Sequence, residues 1–367
     1  MRYFIGLTAL LFFLSSFLSE TKQKKRELHP YPFVYPTSFG SRFTIPADNP
    51  TTEEGVALGR MLFYEPLLSN TNIVSCSSCH AQVNAFTDGL PLSVGVSGKF
   101  TRRNSMSLAN LLWVKNLFWD GRANGLENQA AFPLTHPDEM GQSLEASAAK
   151  LTKTRRYPPL FREVFGTSTI TGDLITKALA QFERTLISAD SPYDRSLKGE
   201  YRLSAAEQRG LDLFMRGPAP ERGVRGGNCA HCHGGAKLFQ EVFHNNGLDS
   251  IAVSDKGRQE TTGDVSDNGR FRVATLRNIE LTAPYMHDGR FANLEQVLDH
   301  YNEHFHFSPN LSHELRTAHN DAAGQRLGLT SSEKKDIIAF LHTLTDSAFI
   351  TNPAFSNPFK KGKQLIR

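Results

Sequence analysis

The four cysteines of this 367-residue chain lie in two identical Cys-x-x-Cys-His motifs. The first motif is Cys76-Ser-Ser-Cys79-His80, and the second is Cys229-Ala-His-Cys232-His233. Two thiols at this spacing can bond to both vinyl groups of a haem, while the histidine that follows ligates the iron. A redox dithiol pair or half of a zinc site also uses Cys-x-x-Cys, but neither needs histidine directly after both pairs. The motifs therefore predict two covalently bound haem c groups with His80 and His233 as proximal ligands.

Composition narrows the class of protein. Lysine and arginine number 41 and aspartate and glutamate 37, and the resulting net charge of +4 is spread evenly along the chain. This balance predicts no nucleic-acid partner. Because both pairs of cysteines are used by the two motifs, a scaffold of several disulfides is excluded. The length favours two domains.

The N-terminus predicts export. An apolar run from Phe4 to Leu18 follows Arg2, and it is shorter than a bilayer span but typical of a signal-peptide core. Residues 1–19 are therefore expected to be a signal peptide or an uncleaved anchor, and the protein is expected in the periplasm. Contact with the membrane is expected only if this segment stays uncleaved. Residues 20–45 are rich in proline, lysine and aromatic residues, which predicts an extended lead-in that does not pack.

The two motifs belong to a longer repeat. A Gly-x-x-Leu-Phe pattern ends a predicted helix before each motif, at 59–63 and 210–214. An apolar-periodic helix closes each half, at 174–187 and 332–344. Capping boxes are predicted for two of these helices, at Ser204/Glu207 and Thr330/Glu333. The repeat predicts a mainly α fold with two cytochrome c-like helical domains, each carrying one haem. Their predicted bounds are 46–198 and 199–348, followed by a tail at 349–367.

Four further blocks carry a family resemblance. They are Met61-Leu-Phe-Tyr64, Arg103-Asn104, Phe118-Trp-Asp-Gly-Arg122 and Leu281-Thr-Ala-Pro-Tyr-Met-His-Asp-Gly289. With the two motifs, they make the chain resemble the bacterial di-haem cytochrome c peroxidases and their relative MauG from about residue 45 to 346. The resemblance implies that peroxide reacts at the N-terminal haem and that the C-terminal haem relays electrons.

The resemblance also implies roles for individual residues. Gln129 and Glu139 fall on the family's active-site glutamine and its acidic partner, and a carboxylate near the iron can move the proton that peroxide cleavage requires. Trp119 falls on the tryptophan between the two haems, with a core tryptophan as the less favoured alternative. A calcium ion is implied between the domains, with an oxygen-rich ligand set. Its implied ligands are Asn104 and the main-chain carbonyls of Thr282 and Pro284.

Two positions depart from the pattern of the peroxidases. Many relatives place a distal histidine 16 residues after the first proximal histidine, where this chain has Val96, and valine cannot ligate iron. The resemblance therefore implies an open coordination position at the first haem. The methionine ligand of the second haem is replaced by Tyr301, for which we expect axial ligation, with Met286 as the main competitor. Alternatively, Tyr301 belongs only to an apolar helix face with Leu294, Val297, Leu298 and Phe305.

The leading hypothesis is a di-haem peroxidase that reduces hydrogen peroxide with electrons from a small periplasmic donor, a cytochrome c or a cupredoxin. The first alternative is a MauG-like enzyme that uses the oxidising equivalents of peroxide on side chains of a partner protein. MauG's surface tryptophan before the second motif is replaced here by Gly227-Asn228, which argues against that alternative. The second alternative, an electron carrier or redox sensor, requires six ligands at both irons. The sequence leaves the donor and a homodimer open.

Overall fold

A computed structural model describes residues 27–250, 255–321 and 326–359. The predicted signal peptide or anchor at residues 1–19 lies outside these ranges. Within them, no helix combines the length and apolar composition that crossing a bilayer requires.

Short α-helices dominate the described part of the chain. They are α1 (Glu53–Phe63), α2 (Cys76–Cys79), α3 (Leu126–Thr135), α4 (Leu144–Thr152), α5 (Tyr157–Phe165), α6 (Gly172–Glu183), α7 (Pro192–Leu197), α8 (Ala205–Met215), α9 (Ala230–His233), α10 (Gln259–Thr262), α11 (Leu294–Asp299), α12 (His313–Thr317), α13 (Ser331–His342) and α14 (Ser347–Thr351). A π-helix, His300–His304, continues α11. The described residues also form several 3-10 helices of three residues each and two antiparallel pairs of strands: β1 (Asn116–Leu117) with β2 (Ala123–Asn124), and β3 (Phe243–His244) with β4 (Phe271–Arg272).

The repeat seen in the sequence corresponds to two equivalent helix crossings. Helix α1 packs on α6, and α8 packs on α13. At the first crossing, a Cβ added to Gly59 would lie 1.9 Å from the carbonyl oxygen of Ala178; at the second, a Cβ added to Gly210 would lie 1.9 Å from that of Asp336. Glycine is therefore required at both positions for the helix backbones to approach so closely.

Each crossing contributes to its own hydrophobic cluster. The first cluster is built mainly from residues 39–186 and includes Leu58, Leu62 and Phe182. The second is built from residues 214–344 and includes Phe214, Ile337 and Phe340. The burial of apolar surface in two separate clusters stabilises the two helical halves around their own cores.

The helix starts follow the predictions and the helix ends do not. Both predicted capping boxes are confirmed, at Ser204/Glu207 and at Thr330/Glu333. Helix α6 ends at Glu183 rather than at Ile187, and α13 ends at His342 rather than at Leu344. The apolar periodicity predicts helices that are too long, because Leu186 and Leu344 are fully buried although they lie beyond the helix ends. Their main-chain carbonyls accept hydrogen bonds from Asn110 and Asn278 instead.

The prediction that residues 20–45 do not pack is wrong for the described part of that segment. The rings of Tyr35, Phe39 and Phe43 surround Trp113, with ring centroids 5.1, 5.3 and 5.8 Å away. The Nε1 of Trp113 donates a hydrogen bond to the carbonyl of Gly40 at 2.9 Å. Apart from a 3-10 helix at Thr37–Phe39, the described part of the segment has no helix or named strand, and its aromatic side chains pack into the first core.

The C-terminal segment also returns to the first core. Phe349 and Phe355 pack against Phe86, with ring centroids 5.4 and 6.5 Å away. The hydroxyl of Tyr64 donates a hydrogen bond to the carbonyl of Phe355 at 2.7 Å. The predicted domain bounds remain a prediction.

Candidate haem sites

The first CXXCH motif presents a histidine with a defined tautomer. Helix α2 carries Cys76 and Cys79, and His80 follows at its C-terminal end. The Nδ1 of His80 lies 2.8 Å from the carbonyl oxygen of Phe86. Because a carbonyl oxygen only accepts, Nδ1 carries the proton and the lone pair is on Nε2, as an iron ligand requires. Burial lowers the pKa of His80, which keeps the ring neutral.

The second motif repeats this arrangement with a different partner. Cys229 precedes α9, which holds Cys232 and His233. The Nδ1 of His233 lies 3.1 Å from the carbonyl oxygen of Ala274, so its Nε2 is also unprotonated. Burial lowers the pKa of His233 to about 4. Both motifs therefore hold a neutral imidazole ready for a metal.

A large cavity, called here the second haem cavity, opens beside the second motif. Cys229, Cys232 and His233 line it, together with Trp119. The predicted apolar stripe of α11 and the following residues also faces it, which confirms the stripe: Leu294, Val297, Leu298, Tyr301 and Phe305. Two thiols and an imidazole on an otherwise largely apolar wall fit a covalently bound haem c.

Tyr301 and Met286 both reach the second haem cavity. The side-chain Nδ2 of Asn246 donates a hydrogen bond to the hydroxyl of Tyr301 at 3.3 Å and lies 3.4 Å from the sulfur of Met286. Burial raises the pKa of Tyr301 to about 12. The Asn246 amide therefore contacts both candidate ligands, and both side chains line the second haem cavity.

Trp119 lies on the wall of the same cavity. Its Nε1 donates a hydrogen bond to the carbonyl of Asn104 at 2.9 Å, and its own carbonyl accepts one from the backbone N–H of Arg272 at 2.7 Å. The first bond holds the indole ring against Asn104 in the first half of the chain, and the second joins the main chain of Trp119 to the second half. Residue 119 therefore bridges the two halves beside the second motif.

The three predicted calcium ligands also line the second haem cavity. The Nδ2 of Asn104 donates to the carbonyls of Leu90 and Pro91, at 2.9 and 3.3 Å, which leaves its Oδ1 as a free acceptor. In the described ranges, no hydrogen bond uses the carbonyl oxygen of Thr282 or Pro284. One side-chain amide oxygen and two main-chain carbonyl oxygens are ligands that suit a hard cation such as calcium.

Val96 and Glu139 lie together near the first motif. The backbone N–H of Val96 donates to the carbonyl of Glu139 at 2.8 Å. A Cβ added to Gly95 would lie 1.9 Å from the carbonyl oxygen of Asp138, so the two loops are in close contact. Burial is the main reason that the pKa values of the Cys76 and Cys79 thiols are raised, and the Glu139 carboxylate adds a smaller rise at both. Burial raises the pKa of Glu139 itself, against the lowering effect of His136 and Arg122.

Gln129 is on α3, with a half-buried side chain. Within the described residues, its amide makes no hydrogen bond, and none joins it to Glu139. The amide is therefore available to a ligand, but the two residues are not held together directly.

Comparisons with known proteins decide the family. The family model "Di-haem cytochrome c peroxidase" matches residues 53–202. The methylamine utilization protein MauG of Methylorubrum extorquens is 37% identical over 84% of this chain and 83% of that protein. The cytochrome c551 peroxidase of Nitrosomonas europaea is 36% identical over 70% of this chain and 75% of that protein. The chain belongs to the di-haem cytochrome c peroxidase family.

A solved structure supports this assignment. A MauG-like protein associated with microbial copper homeostasis matches with a TM-score of 0.78 at 37% identity, covering 90% of this chain and 100% of that one. The predicted mainly α fold with two cytochrome c-like domains is confirmed. The family implies two haem c groups, one for each CXXCH motif.

Two residues of the second haem cavity are not predicted by the sequence. Asn246 contacts both candidate axial ligands, and Arg272 is a buried cation in the cavity wall. Neither belongs to a recognisable motif. The position of Arg272 between the apolar residues Phe271 and Val273 is the sequence feature that could have indicated a buried charge.

Proposed function

We propose that this protein is a periplasmic di-haem peroxidase that reduces hydrogen peroxide to water with electrons from a small donor protein, a cytochrome c or a cupredoxin. The observation that carries the proposal is the pairing of Val96 with Glu139 beside the first motif. A residue that cannot ligate iron stands where a distal histidine is expected, and it lies next to a half-buried carboxylate. This arrangement leaves a coordination position open to peroxide.

Two haem c groups, held by the two CXXCH motifs, supply the redox chemistry when bound. Glu139 supplies proton transfer. Its carboxylate accepts a proton from one oxygen of hydrogen peroxide and delivers it to the other, which leaves as water. The raised pKa makes the carboxylate a stronger base than an exposed glutamate. The free amide of Gln129 orients the peroxide or a water molecule.

Trp119 and the calcium site connect the two halves. The indole of Trp119 shortens the gap that electrons cross, and its bond to the Asn104 carbonyl fixes its position. Calcium bound by Asn104, Thr282 and Pro284 would hold the same segment in place, because Asn104 is both an ion ligand and the partner of Trp119. Removal of calcium is then expected to affect electron transfer through this contact.

Tyr301 is our proposed axial ligand of the second haem, and Met286 is the alternative. An anionic oxygen ligand lowers the reduction potential more than a thioether does. The assignment rests on the position of Tyr301 in the sequence, where the peroxidases have their methionine ligand, because the Asn246 amide contacts both Tyr301 and Met286.

A MauG-like reaction on a partner protein is the second candidate function. Val96, Tyr301 and the 37% identity to MauG favour it. Gly227-Asn228 in place of the surface tryptophan argues against it. A pure electron carrier or redox sensor is disfavoured because Val96 leaves one iron without a sixth protein ligand.

The test is addition of stoichiometric hydrogen peroxide to the oxidised and the reduced holoprotein while the haem spectrum is recorded. A spectral change followed by turnover with a reduced c-type cytochrome or cupredoxin supports the peroxidase. A change without turnover on either donor favours the MauG-like reaction. No change in either oxidation state contradicts both enzymatic functions.

A further inference from the structure

Arg272 is a buried cation in the wall of the second haem cavity. It ends β4, and only 7% of the residue is exposed. Its backbone N–H binds the carbonyl of Trp119, and its side chain lines the cavity that also exposes Cys229, Cys232 and His233. The guanidinium is therefore held beside the haem-binding groups.

This guanidinium forms no direct ion pair in the described ranges, and the carboxylate that acts on it there, Glu241, does so only from beyond ion-pair distance. No carboxylate there forms an ion pair with it, and its one side-chain contact is from Nη2 to the sulfur of Met106, at 3.4 Å. Its Nε is buried without a hydrogen-bond partner. Burial lowers the pKa of Arg272 to about 10, and the opposing effect of the Glu241 carboxylate is too weak to offset it, as expected for a desolvated cation without a contacting counter-charge. A charge in this position is unfavourable unless a partner reaches it.

The neighbouring buried arginine gives the contrast. Arg277 is 1% exposed, and its two terminal nitrogens bind both carboxylate oxygens of Asp194 at 2.7 Å. A third bond goes to the carbonyl of Ala236 at 2.6 Å. Among the described residues, a carboxylate therefore contacts one buried guanidinium of this segment, Arg277, whereas none contacts Arg272. Since Arg272 faces the cavity, its partner comes from the molecule that fills the cavity.

We propose that Arg272 is the counter-charge of a propionate carboxylate of the haem bound at Cys229, Cys232 and His233. A guanidinium matches a carboxylate through two parallel N–H···O bonds, so charge and geometry are both satisfied. The proposal requires a haem at the second motif, as the proposed function does, but it does not depend on whether the protein reduces peroxide.

A fixed positive charge beside the haem also affects its electron affinity. Reduction adds one negative charge, and a nearby cation stabilises the reduced state. Because the site is desolvated, this interaction is weakly screened by salt. Arg272 therefore raises the reduction potential of the second haem, and it does so next to Trp119.

The experiment is potentiometric titration of Arg272→Gln holoprotein, followed at the bands of each haem. We expect a fall of at least tenfold in the equilibrium constant for reducing the second haem, which is a 59 mV fall in its potential. Arg222→Gln is the matched control, because the side chain of Arg222 is 75% exposed and forms an ion pair with the exposed Glu221. The control is expected to keep the wild-type potential. Equal potentials in the Arg272→Gln and Arg222→Gln proteins overturn the proposal.

A haem assay must first show two haems per chain in each variant. If Arg272→Gln cannot be isolated with both haems, Arg272→Lys replaces it, since lysine keeps the charge but cannot form the paired bonds. Resonance Raman spectroscopy of the propionate bending modes is then the measurement. A shift of one mode between the wild type and Arg272→Lys supports the proposal, and identical modes overturn it.

Discussion

Replacing Glu139 with glutamine keeps the size of the side chain and removes its ability to accept a proton. The loop should stay in place, because the hydrogen bond from Val96 uses the main-chain carbonyl of residue 139 and not its carboxylate. The substitution also removes a half-buried charge, so we expect no loss of folding stability. Any loss of activity then reports on proton transfer.

The size of the loss follows from the proposed role. General acid–base catalysis by one positioned group contributes about 10²–10⁴-fold, or roughly 2.7–5.4 kcal/mol of transition-state stabilisation. We expect Glu139→Gln to lower kcat/KM for hydrogen peroxide by a factor in this range, with reduced cytochrome c or cupredoxin as donor. Proton transfer needs the carboxylate form, and burial raises the pKa of Glu139. Wild-type kcat/KM should therefore fall as the pH drops through that raised pKa, and the variant should lack this acidic limb.

Asp138→Asn is the matched control. Asp138 precedes Glu139 on the same loop, but its carboxylate is partly exposed, accepts a hydrogen bond from the hydroxyl of Ser97 at 3.1 Å and lies 3.8 Å from the ammonium group of Lys99. It should retain kcat/KM and the acidic limb. The reasoning is refuted if Glu139→Gln turns over peroxide as fast as Asp138→Asn, or if both keep the same pH profile.

Three further substitutions test other parts of the molecule. Gly210→Ala gains about 1 kcal/mol of helix propensity but places a Cβ 1.9 Å from the carbonyl oxygen of Asp336. The resulting overpacking costs about 1–3 kcal/mol or more, so the unfolding temperature measured by calorimetry should fall. An unchanged unfolding temperature would contradict the close helix crossing. Tyr301→Phe should change the visible spectrum of the second haem while Met286→Leu does not, and the reverse result assigns Met286 as the ligand. Val96→His should abolish the peroxide reaction of the fully oxidised protein and restore it after one-electron reduction; a variant that reacts while oxidised argues against an open position at the wild-type haem.

Local features of the fold were readable from the sequence. Helix starts depend on side chains three residues apart, so the boxes at Ser204 and Thr330 were predicted correctly. The packing of the lead-in was missed, because Tyr35 and Phe43 show no periodicity and their common partner, Trp113, lies about 70 residues away. Composition alone predicts that such a segment does not pack, whereas long-range aromatic contacts stabilise it.

The sequence by itself determined the haem attachment groups, since the spacing of two thiols and a histidine is set by one turn of chain. Only the tertiary structure decided what faces each site. Val96 meets Glu139 across 43 residues, and Arg272 meets Met106 across 166. These contacts arise from the packing of two cores, and no local pattern encodes them. Which buried charge has a partner, and which is left facing a cavity, depends on that packing.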